Sequence, residues 1–269
     1  MSAMPTLVCL HAHPDDEALT TGGTIARAVA EGHRVVLVLA TGGEHGEVPE
    51  DLAEGETLAD RRRSEVERSA EALGVHRLEW LGYRDSGMTG WEQNAHPEAF
   101  MNAPLSEAAE RLAAILREEQ ATVLTTYDWH GNYGHPDHVA VHRVGHHAAE
   151  LAGTPAVYEA TMNRDHMDRL MTAAREMGLE VPDFNDGDTP NTDDGNPFGM
   201  AEADITTRVD VSPYILQKRA SISAHTSQIS DSSFFLKMPP EAFTMMFGTE
   251  WFIRKGAPGG IFEDWLSGL

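Results

Sequence analysis

The sequence is short of cysteine, of basic residues and of long apolar runs. Its one cysteine, Cys9, cannot form an internal disulfide and sits inside an apolar stretch, where a thiol reads as a small core residue. A reducing, cytoplasmic setting is expected. Lys and Arg together number 20 against 43 Asp plus Glu, a formal net charge of −23. That balance excludes a nucleic-acid backbone as partner, because phosphate binding needs clustered cations. It favours solubility through self-repulsion and leaves a homo-oligomer open. No stretch of roughly 18 apolar residues occurs, and no basic N-terminal region precedes an apolar one, so neither a membrane span nor an export signal is expected.

Hydrophobic residues make up 41% of the 269, enough for the core of one large α/β domain. Strands are predicted at 7–10, 34–40, 75–81, 122–126, 155–161, 205–211 and 249–254, several of them nearly all apolar, as in a parallel sheet covered on both faces. Helical spacing of apolar residues predicts helices at 18–30, 58–73, 104–120, 139–152, 164–177, 213–225 and 238–247. Gly74 is a C-terminal cap and Pro213 lies in a first turn. The segment 183–204 is rich in Asp, Gly, Asn, Pro and Thr and reads as a long acidic loop. With no repeat and no interdomain linker, the expectation is one domain over 1–269. Its core spans about 5–180 and 205–269 form a C-terminal cap or flank.

What is abundant is histidine: 14 residues, most of them before position 150. Two fall in His11-Ala-His-Pro-Asp-Asp-Glu17, between the first predicted strand and the first helix. Acids there would serve simply to cap a helix, but capping does not account for both histidines. A second concentrated stretch, Tyr127-Asp-Trp-His-Gly-Asn-Tyr-Gly-His-Pro-Asp-His138, also lies between a strand and a helix. Ligands gather at the carboxyl ends of strands in α/β sheets. If the two strands are neighbours, His13, Asp16 and His138 supply three protein ligands to one divalent metal, and a fourth position stays open. Such a metal polarises a carbonyl and makes water nucleophilic near neutral pH. Asp15 is then the base, and His135 stabilises the oxyanion or protonates the leaving amine, oriented by Asp137. Hydrolysis of an amide or ester follows. A glycosidase would need opposed carboxylates, which neighbours such as Asp15 and Asp16 rarely provide. A non-catalytic binding module has no use for a base at Asp15. His142, His146 and His147 continue along the helix and read as surface or structural.

These two stretches resemble the paired signatures of the PIG-L/LmbE-type de-N-acetylases. The resemblance implies a Rossmann-like α/β fold and a zinc ion, with iron as the other candidate metal. It implies removal of an acetyl group from an N-acetylglucosamine conjugate. By position it makes His13, Asp16 and His138 the metal ligands, Asp15 the general base and His135 the oxyanion-stabilising residue. Asp137 becomes the acid that pairs with a histidine. Of the run Arg61-Arg62-Arg63, mostly a solvated face, it picks out Arg62 as a sugar contact, with Glu65 completing an Arg-x-x-Glu pattern. Tyr133 matches an aromatic over the substrate. The loops carrying Glu47 and Asp85 resemble the actinobacterial branch that contains mycothiol-precursor deacetylases and mycothiol S-conjugate amidases. Those amidases commonly carry a lysine where Thr20 and Thr21 stand, which favours a deacetylase. His225-Thr-Ser-Gln228 resembles a C-terminal segment that brings a histidine near the site.

Overall fold

The structure, a computed structural model, describes residues 4–176, 192, 194–230 and 233–269. Five apolar runs form the parallel strands β1 (Thr6–His11), β2 (Arg34–Thr41), β3 (Arg77–Tyr83), β4 (Val123–Tyr127) and β5 (Ala156–Thr161). Two further strands, β6 (Thr207–Asp210) and β7 (Thr249–Arg254), extend the same sheet, whose order is β3-β2-β1-β4-β5-β7-β6. β7 runs antiparallel to both its neighbours. The C-terminal segment expected as a flank therefore supplies one edge of the sheet. The mostly parallel α/β architecture is as expected.

The order of strands decides where the site lies. From β1 the chain winds outward through β2 and β3, then returns to place β4 on the other side of β1. Leu7, Val8 and Cys9 of β1 pair with Val123, Leu124 and Thr125 of β4. A reversal of winding leaves a crevice at the strand ends. The two histidine-rich stretches leave these two adjacent strands.

Crossovers that leave β1 in opposite directions put helices on both faces of the sheet. On one side, α1 (Asp16–Thr20), α2 (Gly22–Ala30) and α3 (Leu58–Leu73) gather around a later helix, Ile215–Ala224. On the other, α4 (Leu105–Glu118) packs along α5 (Pro136–Ala152), which lies on β4. After α6 (Arg164–Glu176) come that later helix, here α7, then α8 (Phe234–Lys237) and α9 (Pro240–Phe247). No helix among the described residues is long and apolar enough to cross a membrane.

Three departures from expectation have a clear physical reason. The helix predicted over 18–30 breaks at Thr21, whose hydroxyl is 2.9 Å from His11 Nε2. The break gives α2 its own N-terminus, capped by the Glu250 carboxylate, which accepts from Gly23 N and Thr24 N at 2.8 Å each. α5 starts at Pro136 rather than 139, because proline at a first turn costs no hydrogen bond and His135 Nδ1 accepts from Asp137 N. The four-residue α8 is too short for periodicity to reveal. Of the acidic loop expected at 183–204, residues 183–191 and 193 lie outside the described residues.

Candidate active site and metal centre

The first turn is built around an unusual backbone. Asp15 has φ 106° and ψ −29°, a left-handed conformation costing about 1–3 kcal/mol for a residue with a side chain. It is held there from both sides. Glu17 Oε2 accepts from Asp15 N at 3.0 Å, and Arg62 donates to the Pro14 carbonyl and lies 3.1 Å from Asp15 Oδ2. Glu17 is fully buried, and its other oxygen is 2.6 Å from His225 Nε2. So His225, expected near the site, reaches it only through Glu17. Arg62 is the one buried member of its run; Arg61 pairs with Glu56 and Asp51, and Arg63 stacks on Trp80. Arg62 also donates to the Gly43 carbonyl at 2.8 Å, and a Cβ on Gly43 (φ +66°) would fall 2.2 Å from its guanidinium. Only glycine fits there.

The second turn delivers the histidines. His138 Nδ1 donates to the Gly131 carbonyl at 3.2 Å. A carbonyl only accepts, so the proton is on Nδ1 and the lone pair on Nε2, which lies 3.4 Å from Asp16 Oδ2. His13 repeats the arrangement with its nitrogens exchanged. Its Nε2 points at Asp137 Oδ2 (3.2 Å), leaving Nδ1 for Asp16 Oδ2 at 3.3 Å. Each of these two histidines thus has one nitrogen committed to an outer partner and the other turned to the same carboxylate oxygen. That is how metal-ligating histidines are oriented.

His135 differs. Its Nδ1 is an acceptor for Asp137 N at 3.1 Å, so its neutral form carries the proton on Nε2. Burial, with His13 and His138 nearby, pulls its pKa down to about 2, so the ring is a neutral N–H donor. One ring nitrogen each of His13, His135 and His138 lies within 4.8 Å of the others, and spacing alone would admit all three as ligands. The tautomers separate them.

The carboxylates are divided as sharply. Burial pushes Asp15 up to about 6, against the pull of Arg62 and with a further push from Asp16. Burial would also raise Asp16, but His138 and His13 outweigh it and hold Asp16 well below the usual range. His13 is likewise depressed by burial and then raised well above its ordinary value by Asp137, Asp16 and Asp85. So much negative charge around one imidazole is what a divalent cation would neutralise.

Asp137 was expected to orient His135. Its carboxylate instead lies against His13, anchored by Ser86 N at 2.9 Å and by the Ser86 hydroxyl, while only its backbone N–H meets His135. Asp85, expected to contact substrate, accepts from His45 N (3.0 Å) and Gly87 N (2.8 Å) and lies 3.5 Å from His13. It lines a cavity of ≈ 170 Å³ together with Asp15, Asp16, Arg62, Tyr133 and His135. Tyr133 is half-buried, 3.5 Å from His138 Nε2 and stacked on Phe198. Glu47 is not brought in: its side chain is exposed, and only its backbone is held, by Gln228. A larger cleft of ≈ 320 Å³ around Glu150, Arg254 and Lys255 contains none of the motif residues. Size does not outweigh a convergence of titratable groups, and the smaller cavity is the candidate site.

Residues 8–149 match the family described as GlcNAc-PI de-N-acetylase, PIG-L. The chain belongs to the PIG-L family. A deacetylase of Saccharomonospora viridis, named for 1D-myo-inositol 2-acetamido-2-deoxy-alpha-D-glucopyranoside, is 38% identical over 98% of this chain and 100% of its own length. One of the same name from Thermobifida fusca is 40% identical over 83% of each. The N,N'-diacetylchitobiose deacetylase of Pyrococcus horikoshii superposes with a TM-score of 0.58 at 27% identity, covering 94% of this chain and 84% of that one. The de-N-acetylase class and the α/β fold expected from the paired motifs are borne out. Ser86, beside Asp85, is a supporting residue that sequence reasoning left without a role, and the pairing of Glu17 with His225 was likewise not foreseen.

Proposed function

We propose that this chain hydrolyses the N-acetyl group of an N-acetylglucosaminyl inositol conjugate, with a zinc ion held by His13 Nδ1, Asp16 and His138 Nε2. The observation that carries the reading is the tautomer pattern: two histidines turn lone pairs to one carboxylate oxygen, while the third presents N–H. Two nitrogens and an oxygen suit zinc. Bound there, zinc would polarise the amide carbonyl and bring water's pKa towards neutrality.

The chain's own groups do the rest. Asp15, unbound and titrating near 6, takes the proton of the attacking water and returns it to the leaving amine. His135 Nε2–H donates to the carbonyl oxygen as negative charge develops on it, without giving up its proton. Arg62 keeps Asp15 in place and lines the cavity, and with Asp85 and Tyr133 it forms the wall against which a sugar would lie. The substrate for which the relatives are named, an N-acetylglucosaminyl inositol, is small and polar and suits such a lining.

The test is release of acetate and free amine from N-acetylglucosaminyl inositol, with zinc supplied, for the wild type and Asp15→Asn. Acetate release that disappears in the variant, with its zinc retained, is expected. Cleavage of a mycothiol S-conjugate without acetate release would replace the deacetylase by an amidase.

A further inference from the structure

His142 and His146 lie four residues apart on α5, on the same face, with ring centroids 4.4 Å apart. Glu159 of β5 faces them: its Oε1 is 2.8 Å from His146 Nε2 and 3.9 Å from His142 Nδ1. One nitrogen of each ring and one carboxylate oxygen lie within 4.8 Å of one another. None of the three lines the catalytic cavity.

We propose that His142, His146 and Glu159 form a second site for a divalent transition-metal ion of the zinc class. A lone His146–Glu159 hydrogen bond would need neither the second ring nor its orientation. The His142 nitrogen that faces Glu159 is Nδ1, which also donates to the Tyr127 carbonyl at 2.9 Å; to bind an ion it would exchange that bond for the metal, with its proton moving to Nε2. Side-chain exposures of 21%, 17% and 14% leave the group open to an entering ion while shielding it from bulk water. Two imidazoles and one carboxylate suit zinc, cobalt or nickel and disfavour magnesium and calcium. The site shares α5 and Tyr127 with the catalytic centre: the Tyr127 ring packs on His138 at 4.6 Å while its carbonyl holds His142.

The test is calorimetric titration of the full-length, metal-stripped chain with Co2+ and with Zn2+. His146→Gln and Glu159→Gln are each expected to bind one equivalent fewer than the wild type, and His13→Ala to lose a different equivalent. An unchanged number of equivalents in both His146→Gln and Glu159→Gln overturns the second site, whatever His13→Ala does. Anomalous scattering at the cobalt edge, from crystals of the unsubstituted chain soaked in Co2+, needs no variant to fold. A peak between the three side chains supports the site. An empty cluster beside a filled catalytic centre refutes it.

Discussion

Replacing Asp137 by asparagine separates two roles for its carboxylate. One oxygen takes His13 Nε2 at 3.2 Å and Ser86 N at 2.9 Å, and the other takes the Ser86 hydroxyl. Asparagine keeps the shape: its amide oxygen still faces His13, and the serine hydroxyl turns to accept from the new NH2. What disappears is the charge. A hydrogen bond to an ionised group contributes about 1.5–3 kcal/mol and a neutral one about 0.5–1.5. The difference of about 1–2 kcal/mol falls on the imidazole proposed to hold the metal, and amounts to roughly a 5- to 30-fold loss of zinc affinity. Asp137→Ala removes the bond altogether and is expected near the far end of the ~10- to 100-fold range for such outer partners. Competition for zinc with a chelator of known affinity measures both, alongside kcat at saturating zinc, where most of the turnover of Asp137→Asn should return. Unchanged zinc affinity together with a kcat loss of about 100-fold or more at saturating zinc would refute the assignment and return Asp137 to the proton-transfer chemistry.

His135→Ala should keep its zinc and lose about 10²–10³ in kcat, since in the proposed mechanism the ring supplies a donor to the oxyanion and not a lone pair to the metal. Loss of zinc from this variant, measured by metal content, would make His135 a ligand. Because Asp15 must be ionised to act as a base, kcat/KM should fall as pH drops through about 6. A bound dication would move that limb lower, so an acidic limb above pH 7 contradicts the assignment. Glu17→Gln breaks a fully buried pair with His225 and should cost about 3–5 kcal/mol in urea unfolding. Glu17 is held below its ordinary value of 4.5, against the opposing effect of burial, mainly by His225, so its contribution is lost as pH falls. His225, which burial alone would lower, is held above 6.5 by Glu17, so its contribution is lost as pH rises through that higher value. The wild-type advantage over Glu17→Gln should therefore be greatest between those two ordinary values and shrink on either side; an advantage that does not vary with pH would show the pair is not ionised.

The strands that carry the site were legible because burial on two faces writes itself into composition: 34–40 is almost all apolar, and β2 is almost wholly buried. The motif residues were legible because they sit at strand ends, where side chains of neighbouring strands converge. What the sequence hid was which distant groups hold them. Asp137 is two residues from His135, and adjacency suggested that pairing. Its true partner, His13, is 124 positions away and is brought there only because β1 and β4 are neighbours. Ser86 enters from the end of β3 for the same reason. Glu47 looked like a site residue because its loop resembles that of the actinobacterial branch. Gln228, 181 positions on, anchors that loop by its backbone and leaves the side chain in solvent. Long-range partners of this kind leave no periodic trace in a single sequence.

Asp15 and Asp16 show how far one turn of backbone can separate two identical side chains. A metal ligand must stay ionised, and a base must titrate near the working pH while remaining free of the metal. Asp16 meets the first need, its Oδ2 lying within 3.4 Å of both His13 and His138. Asp15 meets the second, raised to about 6 by burial and tethered by Arg62. In an ordinary helical start both carboxylates would share the same cap. The left-handed backbone at Asp15 prevents this, and Glu17 accepting from Asp15 N helps hold that backbone in place. With Asp15 as the proposed base, the buried His225 behind Glu17 would act on catalysis through conformation: it holds the carboxylate that holds the turn.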